Sequence, residues 1–471
     1  MKSHPEAEVI IIGAGITGIS ASYYLSKNNI QHLILEKAID VGGIWTSQKW
    51  PGIRCDTDII KYSYSFNPFL SQQCLVSGET ISNYLRATCS EHKITDKILF
   101  GTMVKKAVFD TKKKIWNVYT NKGHFSSKFI INANGYFAGA PHIPHFDGTE
   151  KFKGEITHLL HLDKKKNIKH KRVVLVGSGA SAICAAPVLC ANSLSMTLLQ
   201  RSPSYIYEEN NSIGIFVDLA QKLYRRGWVF PVKIVNYFLQ LKDDLIFVLF
   251  RKFPRLGKLF FKLHWKDSID SKMFEENFQP TYNPWEQRIP VSLGLKEIIK
   301  NKKLNIVTGK IKSFTESGIL LEDGRNIEAD LCVLATGYNL SLFKFEIWID
   351  KHRVVTQDIN YYKGMMLGGI PNYFQPFGAS HTSWTHRIEA ISKLIIKILL
   401  YMRKRKLDTV VIERKKVKNN PKITPNYVLR NLSKLPAIYG TLELPSIDNF
   451  TFHFFRKSNF KFSMSHFPKN R

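Results

Sequence analysis

Ile10-Ile11-Ile12-Gly13-Ala14-Gly15-Ile16-Thr17-Gly18 opens the chain with a β-branched run that ends in three spaced glycines. A strand that turns sharply into a helix needs each glycine for a different reason. The first makes the tight turn, the second lets a pyrophosphate approach the backbone, and the third brings the helix against the sheet. The helix N-terminus then points free N–H groups at the phosphates. The same grammar returns in Val173-Val174-Leu175-Val176-Gly177-Ser178-Gly179-Ala180-Ser181-Ala182, where Ala182 is the permitted variant of the third glycine. One such motif is weak evidence. Two in one chain imply two nucleotides with electron traffic between them, and hence an oxidoreductase.

The two sites differ where the ribose is read. Past Gly18 the pattern predicts a helix through Leu25, then a strand over 30–35 that ends in Glu36. A carboxylate about 20 positions past the glycines accepts hydrogen bonds from ribose hydroxyls and repels a 2′-phosphate. FAD or NAD satisfies site one. At site two the predicted strand over 196–199 runs into Gln200-Arg201-Ser202-Pro203, with no carboxylate. Arg201 offers a permanently charged, planar donor fork suited to phosphate, and Ser202 adds a donor. NADPH is the expected occupant there.

With 471 residues, 44% of them hydrophobic, the chain is long enough to bury two or more cores. Its six cysteines (Cys55, Cys74, Cys89, Cys184, Cys190, Cys332) form no CxxC pair and no metal-ligand cluster. That spacing fits a reducing cytoplasm, argues against a disulfide oxidoreductase, and gives no reason to expect a metal. The apolar stretch after Lys2 reads as the first strand of the nucleotide fold rather than a leader to be removed. No apolar run approaches the roughly 20 residues that span a bilayer.

A net charge of +30 raises the question of an anionic partner. The lysines are scattered, and no nucleic-acid module accompanies them, so they read as solvated surface and no nucleic acid is expected. Two amphipathic stretches with basic flanks, 245–262 and 393–400, keep a peripheral membrane contact open beside the commoner role of packing on a core. The expectation is a cytoplasmic enzyme. Oligomeric state is not legible.

The organisation follows from the motifs. Two Rossmann-like α/β domains are expected, with a mainly helical insertion. An FAD-type domain covers 1–140 and an NADPH-type domain 141–204. The insertion runs over 205–288, the second domain resumes over 289–330, and the first resumes over 331–471 with a C-terminal segment.

Between the two sites stands Phe152-Lys153-Gly154-Glu155-Ile156-Thr157-His158-Leu159-Leu160-His161-Leu162-Asp163. It resembles the fingerprint of the Baeyer–Villiger monooxygenases, FxGxxxHxxxW followed by Pro or Asp. Phe152, Gly154, His158 and Asp163 match, and Leu162 stands where the family has Trp. Gly42-Gly43-Ile44-Trp45, Trp50-Pro51-Gly52-Ile53-Arg54-Cys55-Asp56 and Tyr282-Asn283-Pro284-Trp285-Glu286-Gln287-Arg288 are further family motifs. With Tyr361-Tyr362-Lys363-Gly364-Met365-Met366-Leu367 and Ser383-Trp384-Thr385, they look most like the ethionamide-activating branch of these class B flavin monooxygenases.

The resemblance implies FAD in site one, held by Gly13, Gly15, Gly18, Glu36, Gly43, Trp45 and Asp56. It implies NADPH in site two, held by Gly177, Gly179, Ala180, Ser181, Arg201 and Ser202. It further implies O₂ activation as a C4a-peroxyflavin that inserts oxygen into a hydrophobic ketone or oxidises a sulfur or thiocarbonyl compound. Arg288 and Asp56 occupy the family's active-site arginine and aspartate positions: a fixed cation for developing negative charge, and a carboxylate to hold it. His158 lies in the family's interdomain linker. A second reading is a nitrogen- or sulfur-oxidising flavin monooxygenase without Baeyer–Villiger activity. A third is a membrane-associated flavoprotein that binds nucleotides without turnover.

Overall fold

The computed structural model describes residues 7–355, 359–378, 383–413, 429–430 and 437–439. The opening run forms β1 (Ala7–Ile12), in which Val9, Ile10 and Ile11 are fully buried. The chain turns at Gly13 into α1 (Ile16–Lys27) and returns as β2 (His32–Leu35). β1 lies parallel between β2 and β3 (Gly123–Asn132), with Ile11 opposite both Ile34 and Ile131. A parallel strand covered on both faces has no polar side to present, which is why its sequence is a continuous apolar run and not an alternation. Antiparallel strands Val104–Asp110 and Ile115–Thr120 extend β3 into a 12-stranded sheet.

The chain leaves this sheet through Phe137–Pro141, which pairs antiparallel with Tyr338–Leu340 on the way back. Between the two crossings lies a second, all-parallel sheet. It is built from β4 (Glu155–His158), β5 (Arg172–Val176) followed by α2 (Ala180–Asn192), and β6 (Ser195–Gln200). After β6 come the insertion helices α3 (Ile215–Arg225), α4 (Val229–Lys252) and α5 (Pro254–Trp265). β7 (Leu304–Thr308) and β8 (Leu331–Leu334) then complete the order β7-β6-β5-β8-β4. The expected mixed α/β architecture, with a helical insertion, is the one observed.

Two details differ from the sequence reading. β8, assigned above to the returning first domain, pairs with β5 and β4 in the second sheet. Its four residues are all buried, the pattern of an interior parallel strand, so the return begins after it. Tyr207–Glu208, within the region read as helical, forms a short parallel strand with Val291–Ser292. The basic-flanked stretch 393–400 falls in α6 (Trp384–Lys404), which packs on α1 with Ile391 and Ile395 fully buried. That stretch belongs to the core.

Candidate active site and nucleotide cradles

Both glycine loops have the stereochemistry their spacing predicts. Gly13 sits at φ +105°, and a Cβ on Gly18 would lie 1.9 Å from the Gly13 carbonyl oxygen, so α1 touches the strand turn through bare backbone. Gly177 repeats the turn at φ +138°. A Cβ on Gly179, by contrast, meets no atom within 4 Å. Both helices start at a glycine cap that supplies no side-chain acceptor, and neither first turn holds an acidic residue. Helix N-termini without a side-chain cap fit a pyrophosphate at each loop, with open space at Gly179.

Glu36 is buried, and its carboxylate accepts from the Ala14 N–H at 2.6 Å and the Ala38 N–H at 2.8 Å. It therefore braces the first glycine turn from the end of β2, a role that the ribose argument does not contain. Each carboxylate oxygen keeps a second lone pair for a nucleotide hydroxyl. Arg201 and Ser202 lie exposed at the end of β6, beside the second glycine loop. Sequence reasoning missed Arg430, which lies 229 positions away and in no motif. Its Nη2 reaches the Thr336 carbonyl at 3.4 Å, next to the turn that follows β8. Partial burial, and secondarily the Arg201 charge, lower its pKa.

The loop over 42–56 belongs to the first domain but is seated on the second. Gly43 begins a helical turn at φ +58°, its Cα side against Gly15. Trp45 donates to the Tyr62 hydroxyl at 2.8 Å and packs against the cores of both domains. Gly52, at φ +81°, lies so close to α2 that a Cβ would sit 2.5 Å from the Cys184 carbonyl oxygen. Arg54 Nη2 donates to the carbonyls of Cys184 and Leu293, each at 3.3 Å.

At the end of this loop the sequence-predicted pair is assembled. Arg288 Nη2 contacts both oxygens of Asp56 at 2.6 Å, joining residues 232 positions apart. Asp56 is the more enclosed partner, its side chain 12% exposed against 40% for Arg288. The Arg288 loop is fixed by its own motif. Asn283 donates from its backbone N–H and its amide to the two carboxylate oxygens of Glu286. Trp285 adopts φ +65°, costly for a large L-residue and typical of backbone held for a functional purpose.

The linker fingerprint is structural in its visible contacts. Phe152 is buried on Phe314, and a Cβ on Gly154 would lie 2.4 Å from the Phe152 ring. His158 ends β4, and its Nδ1 accepts from the Leu160 N–H at 3.2 Å. Burial first, then the neighbouring His161, push its pKa down to about 4, so it is neutral near pH 7. Leu162, in place of the family's Trp, is buried in the apolar core of the second domain. Asp163 is exposed and accepts from the Lys165 N–H, closing a turn. His158 also borders a small recess with Ser181, Gly337 and Tyr338, which places the linker beside the second nucleotide loop. Of the remaining motif residues, Trp384 stacks on Tyr136 with ring centroids 5.3 Å apart, and Tyr361 is buried in the first sheet.

The pyridine nucleotide-disulphide oxidoreductase family model matches residues 10–224, which include both glycine loops. The FAD-containing monooxygenase EthA of Mycobacterium tuberculosis is 34% identical over 448 residues, covering 91% of this chain and 90% of that protein. The chain belongs to the FAD-containing monooxygenases. A probable FAD-binding monooxygenase, AlmA of Acinetobacter baylyi, is 31% identical, covering 88% of this chain and 84% of its own. Among solved structures, an oxidised steroid monooxygenase bound to NADP superposes with a TM-score of 0.75 at 20% identity, over 97% of this chain and 99% of that one. An open cyclohexanone monooxygenase gives 0.73 at 18%, over 96% and 98%. The shared fold therefore extends across both nucleotide domains and the insertion.

Proposed function

We propose that this monooxygenase uses NADPH and O₂ to insert one oxygen atom beside the carbonyl of a small hydrophobic ketone, giving an ester or lactone, and oxidises thio compounds at the same site. The observation that supports this reading is the Asp56–Arg288 contact at the junction of the two nucleotide domains. Bound FAD would supply the activated oxygen, and bound NADPH the hydride that reduces the flavin. Glu36 and the Gly13–Gly18 turn would hold the first nucleotide; Gly179, Ser181, Arg201 and Ser202 would hold the second.

The side chains of this chain supply electrostatics and position. Arg288 cannot lose its proton at working pH, so it presents a fixed positive charge to oxygen that becomes negative during reaction. Both oxygens of Asp56 lie on one guanidinium nitrogen, so the carboxylate holds the arginine in position. Because Gly52 and Arg54 seat the Asp56 loop on α2 and on Leu293, the aspartate is held against the second domain beside its arginine partner. Trp285 and the Asn283–Glu286 hydrogen bonds fix the loop that presents the arginine.

The test is direct. Purified protein is supplied with NADPH, a panel of ketones and thioethers, and ¹⁸O₂, and the products are weighed. The proposal expects NADPH consumption coupled to an ester or lactone carrying one heavy oxygen. Sulfoxides alone, with every ketone returned unchanged, would select the nitrogen- and sulfur-oxidising reading.

A further inference from the structure

α4 is apolar on its outer face as well as its inner one. Its buried residues are Val232, Asn236, Gln240, Asp244, Phe247 and Phe250, three polar and three apolar. Its outward face carries Phe230, Phe238, Leu245 and Leu249, all exposed. A helix that lies between a protein core and water keeps its outer face polar. The neighbours extend this face: Phe216 on α3, Trp228 before α4, Phe253 between α4 and α5, and Leu259 on α5 are exposed as well. Phe216, Trp228, Phe230 and Phe238 are each between 61% and 78% exposed. Scattered apolar residues on a surface need no explanation, but a patch spanning three consecutive helices does.

The charge around the patch selects what covers it. Residues 215–263 hold ten Lys and Arg against three Asp. Asp218 is paired with Lys222, Asp243 with Lys61, and Asp244 is turned inward, so the rim is strongly positive. A second copy docked through this face would bring two positive rims together, which is disfavoured. The aromatic C-terminal stretch 451–471 has five basic residues and no acidic one, so it meets the same repulsion. An anionic lipid surface satisfies both features, taking the aromatic and aliphatic side chains into its interface and the Lys and Arg against its headgroups. No helix among the described residues is long and apolar enough to cross a membrane, so the contact lies in the interface plane.

We infer that α3, α4 and α5 form a docking face for an anionic lipid bilayer. The face adjoins the site: Phe250 of α4 packs on Trp285 with ring centroids 5.4 Å apart, three residues before Arg288. The inference stands on the insertion alone and does not depend on which substrate is oxidised.

The test is co-sedimentation of the full-length holoprotein with phosphatidylglycerol-containing vesicles and with pure phosphatidylcholine vesicles. A Trp228→Glu/Phe230→Glu variant is measured alongside; both positions are exposed, and unchanged FAD content and near-UV dichroism confirm its fold. The parent should pellet with the anionic vesicles and at least about 10-fold less with the neutral ones, and the variant should stay in the supernatant. Three results overturn the inference. One is a parent that stays in solution with anionic vesicles. Another is a variant that pellets as the parent does. The third is a concentration-dependent dimer that the two substitutions dissociate and vesicles do not.

Discussion

Gly18 leaves no room for a methyl group, because the Gly13 carbonyl oxygen occupies the space where it would go. Gly18→Ala should therefore separate α1 from the strand turn and yield protein largely free of FAD, read as the ratio of flavin to protein absorbance. Gly179→Ala faces open space, so the protein should fold normally and lose affinity for NADPH alone. At the nucleotide's other end, Arg201→Ala should raise the KM for NADPH about 10- to 100-fold, the range for a hydrogen bond to a charged group, with NADH use nearly unchanged. Arg430→Ala should shift it in the same direction. An unaltered NADPH preference in Arg201→Ala contradicts the assignment of site two. Arg430 shows why residue-level reading was incomplete: the glycines announce themselves by spacing, whereas Arg430 stands in no motif and meets Thr336 across 94 positions.

Elements were legible wherever periodicity was strong. The two β-branched runs became β1 and β5, the helix expected after Gly18 is α1, and the strands expected before Glu36 and Arg201 are β2 and β6. The two amphipathic stretches could not be separated by pattern, since the same moment serves a helix on a core and a helix on a lipid surface. One is buried in α6 and the other forms the exposed α4–α5 face. Nor could spacing reveal that the 42–56 loop is seated on α2. That seat makes a prediction for the element: Gly52→Ala forces a Cβ against the Cys184 carbonyl at a positive φ, and should cost about 1–3 kcal/mol, measured by urea unfolding. Its effect on turnover should exceed its effect on binding either nucleotide alone, because it displaces Asp56 and not the glycine loops.

For the molecule as a whole, burial sets the response to acid. His32 and His158 are pushed down to about 4 by burial, from an ordinary value of 6.5. Between those values the unfolded chain binds protons that the folded chain does not, so their contribution is complete above pH 6.5 and is lost as pH falls toward 4. The urea midpoint should fall through that window; a midpoint that stays level across it contradicts the account. The molecule-wide design was visible in the sequence because two fingerprints, a linker and an arginine motif occur in a fixed order. The contact between Asp56 and Arg288 was an expectation only, since it joins two loops 232 positions apart in the sequence. On that contact the proposed chemistry rests. The measurement that tests it most directly is the fate of oxygen in Arg288→Ala, followed as ester product and H₂O₂ against NADPH consumed. The account predicts that FAD stays bound, that ketone oxygenation falls by about 10²–10³, and that the residual NADPH oxidation ends in H₂O₂, with Asp56→Ala a milder version. Ester formation by Arg288→Ala at the parental rate would contradict it.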